Sequence, residues 1–303
     1  ASDTFLAALA DAIEPEAKRR IIGDSFVKVF QHEAERLGIE HHLLGQGTIY
    51  PDTIETGGTK RAQTIKTHHN RVPIIEEMIQ AGKVVEPLAD LYKVEVRELG
   101  ERMGIEHQAL WRHPFPGPGL GVRLLCSDGT QDTEGFEDLI PQTEAIAESY
   151  GLQACLLPIR SVGVKADVRA YEHPVLLSGD VPWDTLIAAV SSLTAKVPGI
   201  NRCVWNVDEG HPNQARAVEG RVTRARLDIL READAIVMDA LRDHGVYNDV
   251  WQCPTVLAPL ALGDSDGETI ILRPVHSARA MTATPVQLPT DLLREVCAAI
   301  LDL

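Results

Sequence analysis

Apolar residues recur at helical spacing between residues 14 and 37, where Ile22, Phe26, Val29, Phe30 and Leu37 fall on one stripe. Pro15 suits the first helical position, and Gly38 suits the left-handed residue that closes a helix. A short apolar run, His42-Leu43-Leu44, predicts a strand. Periodicity then disappears from Gly45 to Asn70, GQGTIYPDTIETGGTKRAQTIKTHHN. It resumes with a helix from Val72 closed by Gly82, a short strand at Val84-Val85 broken at Pro87, and a helix over 91–103. Tyr92, Val96, Leu99 and Met103 form the expected buried face of that helix, and Gly104 ends it. Helices alternating with short apolar strands predict a mostly parallel sheet, in which ligands gather outside the carboxyl ends of the strands.

Residues 113–121, HPFPGPGLG, hold three prolines and three glycines, which predicts a defined, irregular turn. Its first expected role is an interdomain linker; a rigid hinge presenting His113 and Arg123 to a ligand is the alternative. Beyond it the chain repeats itself weakly. One unit reads CLLPIRSVGV, a strand over 168–177, a helix at PWDTLIAAVSSLTAKV and a strand at 200–207. The second reads TVLAPLAL, a strand at 269–275 and a helix at PTDLLREVCAAIL, preceded by a further helix over 221–243. Both unit helices open with Pro-x-Asp, placing a carboxylate where orphan amides favour it. By analogy with the first unit another strand is expected after Leu303, so the chain reads as truncated there.

Composition adds limits. With 44% apolar and 24% charged residues, the chain has the make-up of a water-soluble protein of roughly two domains. No apolar run approaches the roughly 18 residues a membrane span needs, and the first residues do not look like a signal peptide. A cytoplasmic protein without membrane partners is expected. The net charge of −15 argues against a nucleic-acid partner but leaves room for small anions held by a local basic cluster. Cys126, Cys155, Cys203, Cys253 and Cys297 are scattered, which predicts reduced, packed thiols and no zinc site.

The aperiodic stretch carries the candidate chemistry. Asp52 and Glu55 stand where a metal ion, a ribose or a base edge could be met, and IKTHHN gathers Lys66, Thr67, His68, His69 and Asn70, suited to gripping phosphate oxygens. A solvated polar loop is the plain alternative. No GxGxxG or GxxxxGK[ST] follows any expected strand.

The stretches KRRIIGDSFVKVF, GQGTIYPDTIET, TIKTHHN, GKVVEPLADLYKVEVRELG and RHPFPGPGLGVR resemble glutamine-hydrolysing GMP synthetase, in its ATP-pyrophosphatase and carboxyl-terminal regions. LLPIRSVGVKADVRAY and VWQCPTVLAPL are similar to the longer form, in which the dimerisation unit occurs twice. The resemblance implies a partial adenine-nucleotide α-hydrolase-like parallel sheet domain (1–113), followed by two α/β dimerisation-type units (114–210 and 211–303). It implies ATP with Mg2+, XMP as co-substrate, ammonia from a glutamine amidotransferase domain or subunit, and a homodimer. It makes the aperiodic stretch a lid. Asp52, Glu55, Lys66, His68 and His69 would serve catalysis, and Thr48, Thr67, Asn70, Asp167 and Gln252 would bind ATP or XMP.

The resemblance has departures. The family's SGGxDS loop, glutaminase domain and KPPxTxEWE tail are not in this sequence, Thr56 replaces a serine, and RPVHSARAMTA lacks the usual Asp-Phe. Another ATP pyrophosphatase, such as an NAD synthetase or a tRNA-modifying ligase, and a stand-alone binding or oligomerisation module remain as alternatives. His41 and His42 are expected at the surface, Arg19 and Arg20 in solvent, and Trp183, Trp205 and Trp251 in packing.

Overall fold

The computed structural model describes residues 1–39, 41–52, 73–114, 117–165, 168–208, 210–277 and 283–303. The chain is mixed α/β and divides into two compact units, residues 1–10 with 14–122, and residues 11–13 with 123–303. No helix among the described residues is long and apolar enough to cross a membrane.

In the first unit, α1 (Ser2–Leu9) precedes α2 (Pro15–Leu37), which has Pro15 in its first turn and Gly38 at φ 67° as its cap, as the sequence predicts. The cap amide reaches the carbonyls of Ala34 and Glu35. The buried face is set differently from the expected stripe. Lys18, Ser25 and Val27 are buried, whereas Phe26 is 65% exposed and Phe30 and Leu37 are also exposed. Val27 is the contact that decides the phase, since it packs on Leu44, Met78 and Ile79. Arg19 pairs with Glu16 one turn away at the surface. The strand β1 (Leu44–Gly45) pairs in parallel with β2 (Val84–Val85), and α3 (Pro73–Gln80) lies between them in sequence. In α4 (Lys93–Arg102) the expected buried face is again the wrong one. Met103 is 72% exposed and Tyr92 and Leu99 are exposed, while Gly100 is the buried residue. Leu110 of α5 (His107–Leu110) fills that spot, so close that a Cβ on Gly100 would lie 2.5 Å from its Cδ2. The proline-glycine turn leads into α6 (Leu120–Arg123), whose first two residues fall in the stretch that the sequence reads as irregular.

The second unit is built on an alternating strand. It contains β3 (Ser127–Asp128), α7 (Phe136–Ser149), β4 (Gln153–Leu156), β5 (Ser161–Lys165), β6 (Val168–Ser178), α8 (Trp183–Lys196) and β7 (Ile200–Trp205). Strand β6 pairs antiparallel with β4 and β5 and in parallel with β7. Val175 and Leu177 point to one face and pack with Leu186, Ala189 and Leu193 of α8 and Ala147 of α7. Leu176 points to the other face and packs with Ala258 and Leu260. The opposing layer has β8 (Ala215–Ala217), β9 (Glu219–Gly220), α9 (Arg224–Asp243), β10 (Thr255–Ala258), β11 (Leu260–Leu262), β12 (Thr269–Leu272), β13 (Val275–His276), β14 (Thr284–Pro285) and α10 (Thr290–Leu301). Strand β10 pairs antiparallel with β12, and β11 with β8.

Each expected first strand of the repeat is broken in two. The break follows Leu156 in the first copy and Ala258 in the second, and Pro158 and Pro259 account for both because proline offers no amide to a ladder. The two units' helices also match, with Pro182 and Pro289 at the cap and Asp184 and Asp291 in the first turn. Thr223 caps α9 by accepting from the Arg226 amide at 3.3 Å. Arg226 donates to both oxygens of Glu268 and to the carbonyls of Leu125 and Arg221. Arg123 is held in a forked pair by Asp234 of α9, at 2.6 and 3.2 Å. None of the five cysteines is in a disulfide, and burial pushes the thiols of Cys155 up to about 11 and of Cys203 and Cys253 to about 12.

Two outcomes follow from this packing. Leu177→Ala removes a completely buried side chain and is expected to cost ~2–5 kcal/mol in urea unfolding. His244, after α9, bonds Glu295 of α10 at 2.9 Å and lies 3.7 Å from Asp291. The Glu295 hydrogen bond raises its pKa above the ordinary 6.5. Protonated His244 therefore stabilises the fold fully below about 6.5, and the contribution fades as pH rises through the raised folded value. In melts at successive pH values, the wild type's advantage over His244→Gln should be largest at the acidic end of this window and shrink above it.

Candidate functional site

The two parallel strands of the first unit end side by side, and the candidate stretch begins there. The ladder continues past β1 through the Gln46 amide, which donates to the Val85 carbonyl at 2.9 Å. Thr48 is completely buried, and its hydroxyl donates to Glu86 Oε1 at 2.5 Å. Thr48 follows β1 and Glu86 follows β2, so this bond ties together the carboxyl ends of both strands, the edge where α/β sheets present ligand sites.

The next residues are fastened in turn. The Tyr50 amide donates to the Leu91 carbonyl at 2.9 Å, and its ring meets that of Tyr92 edge-on at 5.1 Å. Residues 50–52 turn helically, and Asp52 Oδ2 accepts from the Ile49 amide at 3.1 Å. Asp52 thus stands half-buried at the root of the loop, its carboxylate directed back onto its own turn. Glu55, Lys66, Thr67, His68, His69, Asn70 and Asp167 lie outside the described residues.

Gln252, in the second unit, is half-buried and exchanges backbone hydrogen bonds with Val275, at 3.2 and 2.9 Å. Among the described residues no group of three His, Cys, Asp or Glu side chains could hold a metal ion. His41 and His42 are exposed, as expected for surface residues. Trp183 and Trp205 pack against the main core, and the Trp205 indole donates to the Gly179 carbonyl at 3.3 Å.

One constellation escaped the sequence reading. Lys93 and Arg97 stand one turn apart on α4, and Arg97 Nη2 donates to the Arg112 carbonyl at 3.1 Å. The Arg97 guanidinium also lies 4.8 Å from the ring centre of Trp111. Trp111 is fixed in turn by its indole N–H, which donates to Glu101 Oε1 at 2.6 Å, and by stacking with His107. Burial first, then the charges of Arg97 and Arg112, hold the Lys93 ammonium below its ordinary range. In the sequence the constellation shows only as two cations at i and i+4.

Thr48→Val is expected to lower the stability of the first unit by ~1–3 kcal/mol, because the Glu86 carboxylate loses a buried donor. Thr48→Ser should keep most of it; equal stability of all three proteins in thermal melts would show the bond to be idle.

No protein-family model matches the chain. Curated relatives do. A probable glutamine-hydrolysing GMP synthase of Leptospira interrogans is 42% identical over 99% of this chain and 50% of its own length. The enzyme of that name from Dictyostelium discoideum is 30% identical over 97% of this chain and 48% of its own. That from Syntrophomonas wolfei is 39% identical over 70% of this chain and 44% of its own. The chain spans about half the length of the curated relatives it matches, and over that span it belongs to the glutamine-hydrolysing GMP synthase family.

Proposed function

We propose that this chain carries the lid-bearing part of an XMP-aminating site and the two α/β units that accompany it. The reaction is the ATP-dependent conversion of XMP to GMP. The O2 oxygen of XMP attacks the α-phosphorus of MgATP and pyrophosphate leaves. Ammonia, released from glutamine by an amidotransferase domain, then adds at C2, and AMP departs with the O2 oxygen. The observation that carries this proposal is the 42% identity to the Leptospira relative over 99% of the chain.

The first unit supports it physically. Its loop starts at the carboxyl ends of two parallel strands, the position from which a lid can close over a nucleotide. The Thr48–Glu86 bond and the Tyr50–Tyr92 contact make a fixed root for that lid. In the proposal Lys66, His68 and His69 offset charge on the leaving pyrophosphate. Thr67, Asn70 and Thr48 help position the phosphates, and Asp52 and Glu55 handle the substrate during adenylyl transfer. Such a step gains chiefly from positioning and from donors fixed where charge develops. Asp167 can accept from the base or ribose of XMP, and Gln252 can both donate and accept. The parallel-sheet arrangement of residues 1–113, the two later units as dimerisation modules, the homodimer and the cytoplasmic setting belong to the same proposal.

The exposed Phe26, Phe30, Leu37 and Met103 support a place for the first unit within a larger domain, since apolar side chains this exposed gain by being covered. The whole protein is therefore the object to assay. It is expected to exchange pyrophosphate into ATP only when XMP is present, and the 303-residue chain alone, without SGGxDS, is expected not to. Lys66→Ala should lower that exchange by about 10²-fold or more while glutamine hydrolysis stays within about twofold. Absence of XMP-dependent exchange in the whole protein would overturn the proposal, and equal loss of both activities in the variant would remove Lys66 from the lid's role.

A further inference from the structure

Lys93 and Arg97 are an anomaly in a chain of net charge −15. Like charges at i and i+4 of a helix repel, and Lys93 also opens α4, where the helix favours negative charge. Two of the acidic residues nearby already hold other donors. Glu95 accepts from the Tyr92 amide at 2.7 Å, and Glu101 accepts from the Trp111 indole and faces His107. Among the described residues neither Lys93 nor Arg97 forms an ion pair.

The arrangement is nonetheless held in place. Trp111 supports the Arg97 guanidinium from below, the Arg112 carbonyl fixes its Nη2, and Glu101 anchors Trp111 through its indole. An arginine fixed in this way, one turn from a second cation, is already organised for an anion, which then meets a reduced ordering cost. Compact, multiply charged and rich in acceptors, a phosphoryl group matches an ammonium and a guanidinium on adjacent turns.

We infer that Lys93 and Arg97, backed by Trp111, form a binding site for a phosphoryl oxyanion on the α4 face of the first unit. The site uses none of the lid residues, and its test requires no catalysis. A failure here therefore leaves the XMP-aminating proposal untouched, and the reverse also holds.

Trp111 gives the readout. Inorganic phosphate, pyrophosphate and AMP are titrated separately into the protein at constant ionic strength balanced with chloride, following tryptophan emission and phosphorus-31 linewidth. A saturable emission change is expected, absent in Trp111→Phe although the line still broadens. Arg97→Gln and Lys93→Gln should each weaken binding about tenfold or more. In phosphate-free buffer Lys93→Gln should melt no lower than the parent, because relieving like-charge repulsion separates lost binding from lost folding. Binding of phosphate or pyrophosphate without AMP identifies a free anion as the ligand, and binding of AMP alone identifies a nucleotide phosphate. The inference is overturned if no ligand saturates or if both Gln variants bind as the parent does. It also fails if chloride alone reproduces the change, or if only an acidic peptide perturbs Trp111.

Discussion

The second unit depends on the two-residue period of β6. Val175 and Leu177 face the helices α7 and α8, and Leu176, between them, faces the β10–β11 layer. A slip of one residue would exchange the two sets and leave neither core complete. Three flanking strands hold the register, β4 and β5 antiparallel and β7 parallel. With helices on one face and strands on the other, β6 requires apolar residues at consecutive positions, which its His-Pro-Val-Leu-Leu run supplies.

The first unit places its candidate site by a different device. Two strands of two residues each contribute little ladder, so the side-chain bond from Thr48 to Glu86 carries part of the task of keeping their ends together. Placing the bond beyond the last ladder pair fixes the chain where it leaves the sheet. The aromatic contact of Tyr50 with Tyr92 adds a second fastening from α4. Chemistry expected of the loop would then be carried on a chain whose beginning is rigid.

Much of the element order was legible because its causes are local. Pro15 and Gly38 bound α2, Gly82 and Gly104 sit at positive φ where helices stop, and the Pro-x-Asp openings of α8 and α10 lie where the sequence puts them. Buried faces were less legible. Phe26 and Phe30 are more apolar than Ser25, yet packing on Leu44 and Met78 selects the Val27 side, a choice made by partners distant in sequence. Gly100 hides its importance for the same reason, because an absent side chain signals nothing until Leu110 fills the space. Of the candidate residues, Asp52 was legible from its place in the aperiodic stretch and Thr48 and Gln252 only through the resemblance, but Glu86 was not, since a single acid after a two-residue strand has no pattern. The loss of periodicity and the polar side chains mark the stretch from Gly45 to Asn70, and only the family resemblance sets it apart from a solvated turn.

The buried thiols have a consequence for how this protein ages. At neutral pH the elevated values of the buried Cys155 and Cys253 leave almost no thiolate, the form that oxidants and alkylating reagents attack. Their modification therefore has to wait for the second unit to open. Chemical damage at these positions would record a history of transient unfolding, with the strand β4 and the approach to β10 serving as the clock.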